Sequence, residues 1–171
     1  MHDMAHGSSD ILGRKPKIFL DIKNLVDGES WELGFVQGLL YTMMLVPMVS
    51  WHGDDNGSVA QMTGLGNPET DHCDNVLLEW ELALALFSSP HHTMKAICPV
   101  LLGGADSRGF LSFPFQHLAR ISDKPSLATK TRLVELCEKY GVPLSEQAVR
   151  RSVKGTLDAI LQNQGIKLDD L

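Results

Sequence analysis

A chain of 171 residues, 43% hydrophobic and 21% charged, with a formal net charge of -6, has the length of one domain with a sizeable core and the composition of a soluble globular protein. The acidic balance offers no field for a polyphosphate backbone, so nucleic acid is not the expected partner. The longest apolar runs, "TMMLVPMVS" and "LALALF", stop well short of a membrane span, so no membrane segment is expected.

In chain order, residues 1–16 are polar and aperiodic, without the apolar core of a secretory signal, and are expected to form a disordered tail. A single domain is expected over residues 17–165, with a short tail over 166–171. "KIFLDI", residues 17–22, is β-branched, aromatic and almost continuously apolar, the pattern of a strand covered on both faces in a parallel sheet. A Gly-containing turn follows. Trp31, Phe35 and Leu39 then recur at helical spacing, with Glu29 and Glu32 placed where the helix dipole favours acids.

"TMMLVPMVS" predicts a second buried strand, although Pro47 cannot donate to a ladder. The connection from Trp51 to Cys73 is polar, Gly-rich and long, and is expected to be functional or mobile. "DNVLLEWELALALFSSP" predicts a mostly buried helix with Asp74 or Asn75 as its N-cap and Ser-Ser-Pro as its stop. "MKAICPVLLGG" predicts a third strand ended by Gly103 and Gly104. The last third reads as helical: Leu133, Leu136, Cys137 and Tyr140 form one stripe closed by Gly141. Val149, Val153, Leu157, Ile160 and Leu161 form another closed by Gly165. Strands alternating with helices in this way predict an α/β fold with a parallel sheet and helices on both faces. Cys73, Cys98 and Cys137 are odd in number and widely spaced, which suits free thiols in a reducing compartment and points to the cytoplasm.

"FLDIKNLVDGESWELGF", the strand ending at Ser50, "DNVLLEWELALAL" and "ICPVLLGG" resemble, in that order, the second strand and its loop, the third strand, the third helix and the fourth strand of a TIR (Toll/interleukin-1 receptor) domain. The resemblance covers residues 17–104. It implies a three-layer flavodoxin-like architecture from which the first strand and helix are missing, because only polar residues precede "KIFLDI"; an N-terminally truncated domain is therefore expected. It also implies intracellular signal transduction, including innate immunity, by homotypic association with other TIR domains as a homo-oligomer. Lys23, Asn24, Asp27, Gly28 and Trp31 would lie on or next to the association loop.

Some members of the family cleave NAD+ between nicotinamide and ribose with a glutamate on the third helix, which the resemblance places at Glu81. Such a carboxylate would stabilise the oxocarbenium-like ribose of the transition state, and the leaving nicotinamide needs no proton. The chain would then be an NAD+ glycohydrolase with NAD+ as substrate and no cofactor. Glu81 can equally be the polar residue of an exposed helix face, as Glu79 can, and the two lie about 200° apart around a helix. Where the family's enzymes carry Trp one turn before the glutamate, this chain has Leu77.

Asp21, Ser50 and Trp51 end strands at the carboxyl edge of the expected sheet, where open α/β folds bind ligands, and are the candidate substrate contacts. Capping of the following turn by Asp21, an ordinary strand-end Ser50 and a half-buried Trp51 are the plain alternatives. His52, Asp54, Asp55 and His72 lack regular ligand spacing, so no metal site is expected. "GLGNP" lacks the strand-turn-helix setting of a dinucleotide fingerprint, and a Walker-type Gly-Lys-Ser/Thr is absent.

Overall fold

The computed structural model describes residues 31–51, 57–102, 104–105, 111–112 and 115–163. By internal contacts the chain divides into two units, Met1–Gly38 and Leu39–Leu171. The first is described only over residues 31–38, which belong to helix α1 (Trp31–Leu40), and this helix stands where the Trp31, Phe35, Leu39 spacing predicts it. The predicted tail, the "KIFLDI" strand, Asp21 and the loop residues Lys23, Asn24, Asp27 and Gly28 lie outside the described residues, as does Gly165.

In the second unit each predicted strand arrives in two pieces. Strands β1 (Met44–Leu45) and β2 (Met48–Ser50) run parallel to β3 (Ala96–Ile97) and β4 (Val100–Leu102) respectively. The register is unchanged across the interruption, with Leu45 opposite Ile97 and Met48 opposite Val100, so Pro47 stands opposite Pro99. The physical cause is the missing N–H of Pro47, which removes one rung. The rungs on either side survive: the N–H of Cys98 donates to the carbonyl of Leu45 at 2.8 Å, that of Val100 to Pro47 at 2.9 Å and that of Trp51 to Leu102 at 3.1 Å.

Burial corrects the expectation of a fully covered strand. Pro47 and Val49 are buried, whereas Met44, Val46 and Met48 are each close to half exposed. Because side chains alternate across a strand, Met44, Val46 and Met48 form an open apolar strip on one face of β1 and β2, while on β4 Val100, Leu101 and Leu102 are all exposed. A second correction concerns Gly104. It does not end a strand but opens β5 (Gly104–Ala105), antiparallel to β6 (Leu111–Ser112), so an antiparallel pair stands between β4 and the helices that follow.

Helix α2 (Asn75–Ser88) links the parallel strands β2 and β4. Asp74 caps it by accepting the N–H of Leu77 at 2.7 Å, and its apolar residues on all sides are buried, from Leu77 to Leu86. Around it stand α3 (Leu127–Tyr140), α4 (Glu146–Arg150) and α5 (Val153–Gln162), capped by Ser126, Ser145 and Ser152. The predicted closure of α3 at Gly141 is a left-handed cap with φ 67°. The final stripe splits into α4 and α5 because Ser152 turns its hydroxyl to the N–H of Gly155 and starts a new helix. Helix and strand with short parallel pairing thus make this an α/β protein in the broad sense.

The long connection after β2 is partly core. Its 3-10 turn (Ala60–Gly64) and flanks bury Val59, Ala60, Met62 and Leu65. Asp71 then ties it to α3: its carboxylate accepts the N–H of Gly66 at 2.9 Å and that of Ala128 at 3.1 Å. Burial disfavours the charge of Asp71, but these amides and the Ser126 hydroxyl outweigh it and hold the carboxyl below its ordinary value of 3.8. A depressed carboxyl contributes stability above the unfolded-state pKa and loses it as pH falls through the folded one. Urea midpoints measured from neutral pH down to about pH 2.5 are therefore expected to fall less steeply in Asp71→Asn than in the parent chain below about pH 4. Parallel acid limbs would refute the assignment.

Candidate functional site

The carboxyl ends of β2 and β4 coincide because the strands are parallel, and the predicted contacts Ser50 and Trp51 stand at this end. Ser50 is fastened there. Its Oγ accepts the N–H of Ser58 at 2.9 Å, and Ser58 Oγ accepts the N–H of Ser50 at 3.0 Å while donating to the Met48 carbonyl at 3.0 Å. Gly57 makes the return to the strand possible. Its φ of +115° is left-handed, and an added Cβ would lie 2.6 Å from the carbonyl oxygen of Ser50. The hydroxyl of Ser50 is thereby part of a backbone clasp.

Trp51, the next residue, is 1% exposed, not half-buried. The ring of His117 meets it edge-on, with centroids 5.0 Å apart at 90°, and the Arg120 guanidinium stands 5.4 Å from its ring centre. Both partners come from the 3-10 turn Phe115–Arg120. Trp51 Nε1 and His117 Nδ1 are buried without a hydrogen-bond partner among the described residues. Such groups are uncommon in folded proteins, and they distinguish this strand end from an ordinary one.

Glu81 takes a different position from the one its sequence role implies. It is 2% exposed and points into the helical layer, where Lys130 of α3 donates to Oε2 and the Thr156 hydroxyl of α5 lies 3.0 Å from Oε1. Lys130 Nζ donates also to the Ala148 carbonyl of α4 at 2.6 Å. Four helices thus meet on one ion pair. Burial is the largest influence on both groups, pushing the carboxyl of Glu81 up and the ammonium of Lys130 down, and each is opposed by the other's charge. Burial and the Glu81 charge also push the nearby Cys137 thiol up to about 11.

Of the sequence candidates, Ser50 and Trp51 stand together at the strand end, while the described partners of Glu81 are Lys130 and Thr156. Trp31 opens α1, but its side chain lies outside the described residues, as do His52, Asp54 and Asp55. Among the described residues no group of three His, Cys, Asp or Glu side chains is placed to hold a metal, and no helix is long and apolar enough to cross a membrane. His117, Arg120, Lys130 and Thr156 were not legible as partners. Lys130 and Thr156 lie 49 and 75 residues from Glu81, beyond any local spacing rule. Neither a family model, nor a curated protein, nor a solved structure matches this chain.

Proposed function

We propose that the chain is a TIR-type signal transduction module of flavodoxin-like α/β architecture, acting in the cytoplasm by homotypic association through residues 21–31 and the helix after them. Two features support this reading: the order of elements and the parallel pairing of β2 with β4 across α2. One observation carries the preference for association over catalysis, namely the commitment of both Glu81 oxygens to Lys130 and Thr156 within a buried helical cluster. A carboxylate that must stabilise a ribosyl cation has to reach the substrate, and this one would first have to abandon a buried ammonium.

The test uses the full chain. Light scattering after size exclusion over a wide concentration range is expected to show concentration-dependent association that Trp31→Ala weakens. Incubation with NAD+ is expected to release no nicotinamide above the protein-free control. A protein that stays monomeric throughout, or that releases nicotinamide catalytically, overturns the proposal, and the second result would favour the NAD+ glycohydrolase.

A further inference from the structure

Eight of the ten large hydrophobic side chains exposed among the described residues fall in two neighbouring stretches, 41–48 and 100–102. The unbroken parallel register gives one face of the ladder to Met44, Val46 and Met48, to Ala96, Cys98 and Val100 opposite them, and to Leu102 beyond. On that face Met44, Val46, Met48, Val100 and Leu102 are 38–50% exposed and Cys98 is half-buried, while the small Ala96 is covered. The opposite face is the core side, where Pro47, Val49 and Ile97 are buried. Leu101 belongs to that side by alternation and is not part of the strip. Just before the strip, Tyr41 and Met43 are 81% and 66% exposed.

The five strip residues with Tyr41 and Met43 leave on the order of 800 Å² open. That exceeds the largest apolar patch of a typical monomer, about 300–600 Å², and equals about one partner's share of a standard protein interface. Charge points to the kind of partner. Residues 41–50 and 96–102 carry none. A charged side chain at the centre of a two-fold contact would face its own image and be repelled, and this surface holds no such group. Met43, Met44 and Met48 add adaptability, because an unbranched thioether side chain fills whatever gap is presented to it. A surface of this size, uncharged and adaptable, can serve as its own complement.

We propose that this face is an interface between two copies of the chain, packed sheet on sheet about a two-fold axis that passes near Val46 and Cys98. In such a contact the same patch is used by both copies, and the two ladders lie about 10 Å apart with their apolar side chains interleaved. Two such shares together reach the area of a standard interface. The inference goes beyond the association reading above: it uses neither residues 21–31 nor α1, so either can fail without the other.

The experiment is sedimentation velocity of the full chain from micromolar to submillimolar concentration, in low salt and in sodium sulfate. A monomer–dimer equilibrium is expected, tightened by sulfate, which strengthens apolar burial and screens the net charge of -6. Val46→Lys, checked for folding by far-ultraviolet circular dichroism, is expected to weaken dimerisation by about tenfold or more, since each new ammonium meets its image. Mixing Val46→Lys with Val46→Glu is expected to restore a dimer of the two variants, the signature of a two-fold contact at this residue. If either variant does not fold, the neutral pair Met48→Gln with Val100→Thr replaces it and is expected to weaken the dimer as well. Association that Trp31→Ala weakens and the folded strip variants do not would remove the strip and leave the loop reading in place. A chain that stays monomeric throughout, association that sulfate weakens, or a mixture that fails to recover also overturns the interface.

Discussion

Glu81→Ala is expected to lose about 3–5 kcal/mol of unfolding free energy, because it leaves the Lys130 ammonium buried beside a vacated site. The Ala148 carbonyl remains as an acceptor, but a carbonyl does not neutralise a charge. Against a total stability of about 5–15 kcal/mol, a loss of that size brings the chain close to unfolding at ambient temperature. Lys130→Met is expected to be damaging for the mirror reason, since it leaves the buried carboxylate with the Thr156 hydroxyl as its hydrogen-bond partner and only the weaker influence of the Arg151 charge. The double variant Glu81→Leu with Lys130→Met is the informative one. Replacing both charges with apolar groups of similar size removes the desolvation cost along with the attraction, and is often neutral or stabilising. Urea unfolding of the four chains should therefore show two strongly destabilised single variants and a double variant near the parent. If either single variant unfolds like the parent, the pair does not hold the helices together as described.

Trp51→Ala is expected to cost about 3–5 kcal/mol, the usual loss on truncating a large buried aromatic. The ring is 1% exposed, and its removal also strips His117 of its edge contact and Arg120 of a cation–π partner. Trp51→Phe separates ring from polar handle. Because Nε1 has no acceptor among the described residues, deleting it relieves a buried donor worth about 1–3 kcal/mol, which offsets much of the smaller ring's lost packing. The Phe variant is thus expected to lie much nearer the parent than the Ala variant in urea midpoint. Equal losses for the two would mean that the indole N–H is bonded after all, and would remove the reason for singling out this strand end. Tryptophan fluorescence is a poor reporter here, so far-ultraviolet circular dichroism should follow the transition.

How far the chain can be read without its tertiary structure depends on the reach of each signal. Helix α2 was legible end to end, since Asp74, the Leu and Ala run and the Ser-Ser-Pro stop all act within a few residues. Gly141 was legible because a left-handed cap is a local backbone demand. The two strands and the rung that Pro47 cannot make were legible, because a missing N–H belongs to the residue itself; that each strand would split in two there was not. Nor did their apolar composition reveal the open face, since alternation was masked by Met and Val on both sides. The α4–α5 break was missed because Ser152 sits within an apolar stripe that reads as continuous.

The candidate site divides in the same way. Trp51 and Ser50 could be placed at a strand's carboxyl end from sequence, because strand direction and length place them there. Their surroundings could not. Whether Glu81 faces a substrate or a lysine depends on which helix packs against its side of α2, and the groups that settle it come from α3 and α5, far along the chain. Local chemistry, acting over one turn of helix or one hairpin, is written in adjacent residues and was determined by the sequence alone. The environment of a buried charge is a sum over contacts from distant segments, and only the tertiary structure decided that Glu81 belongs to an ion pair on which four helices meet.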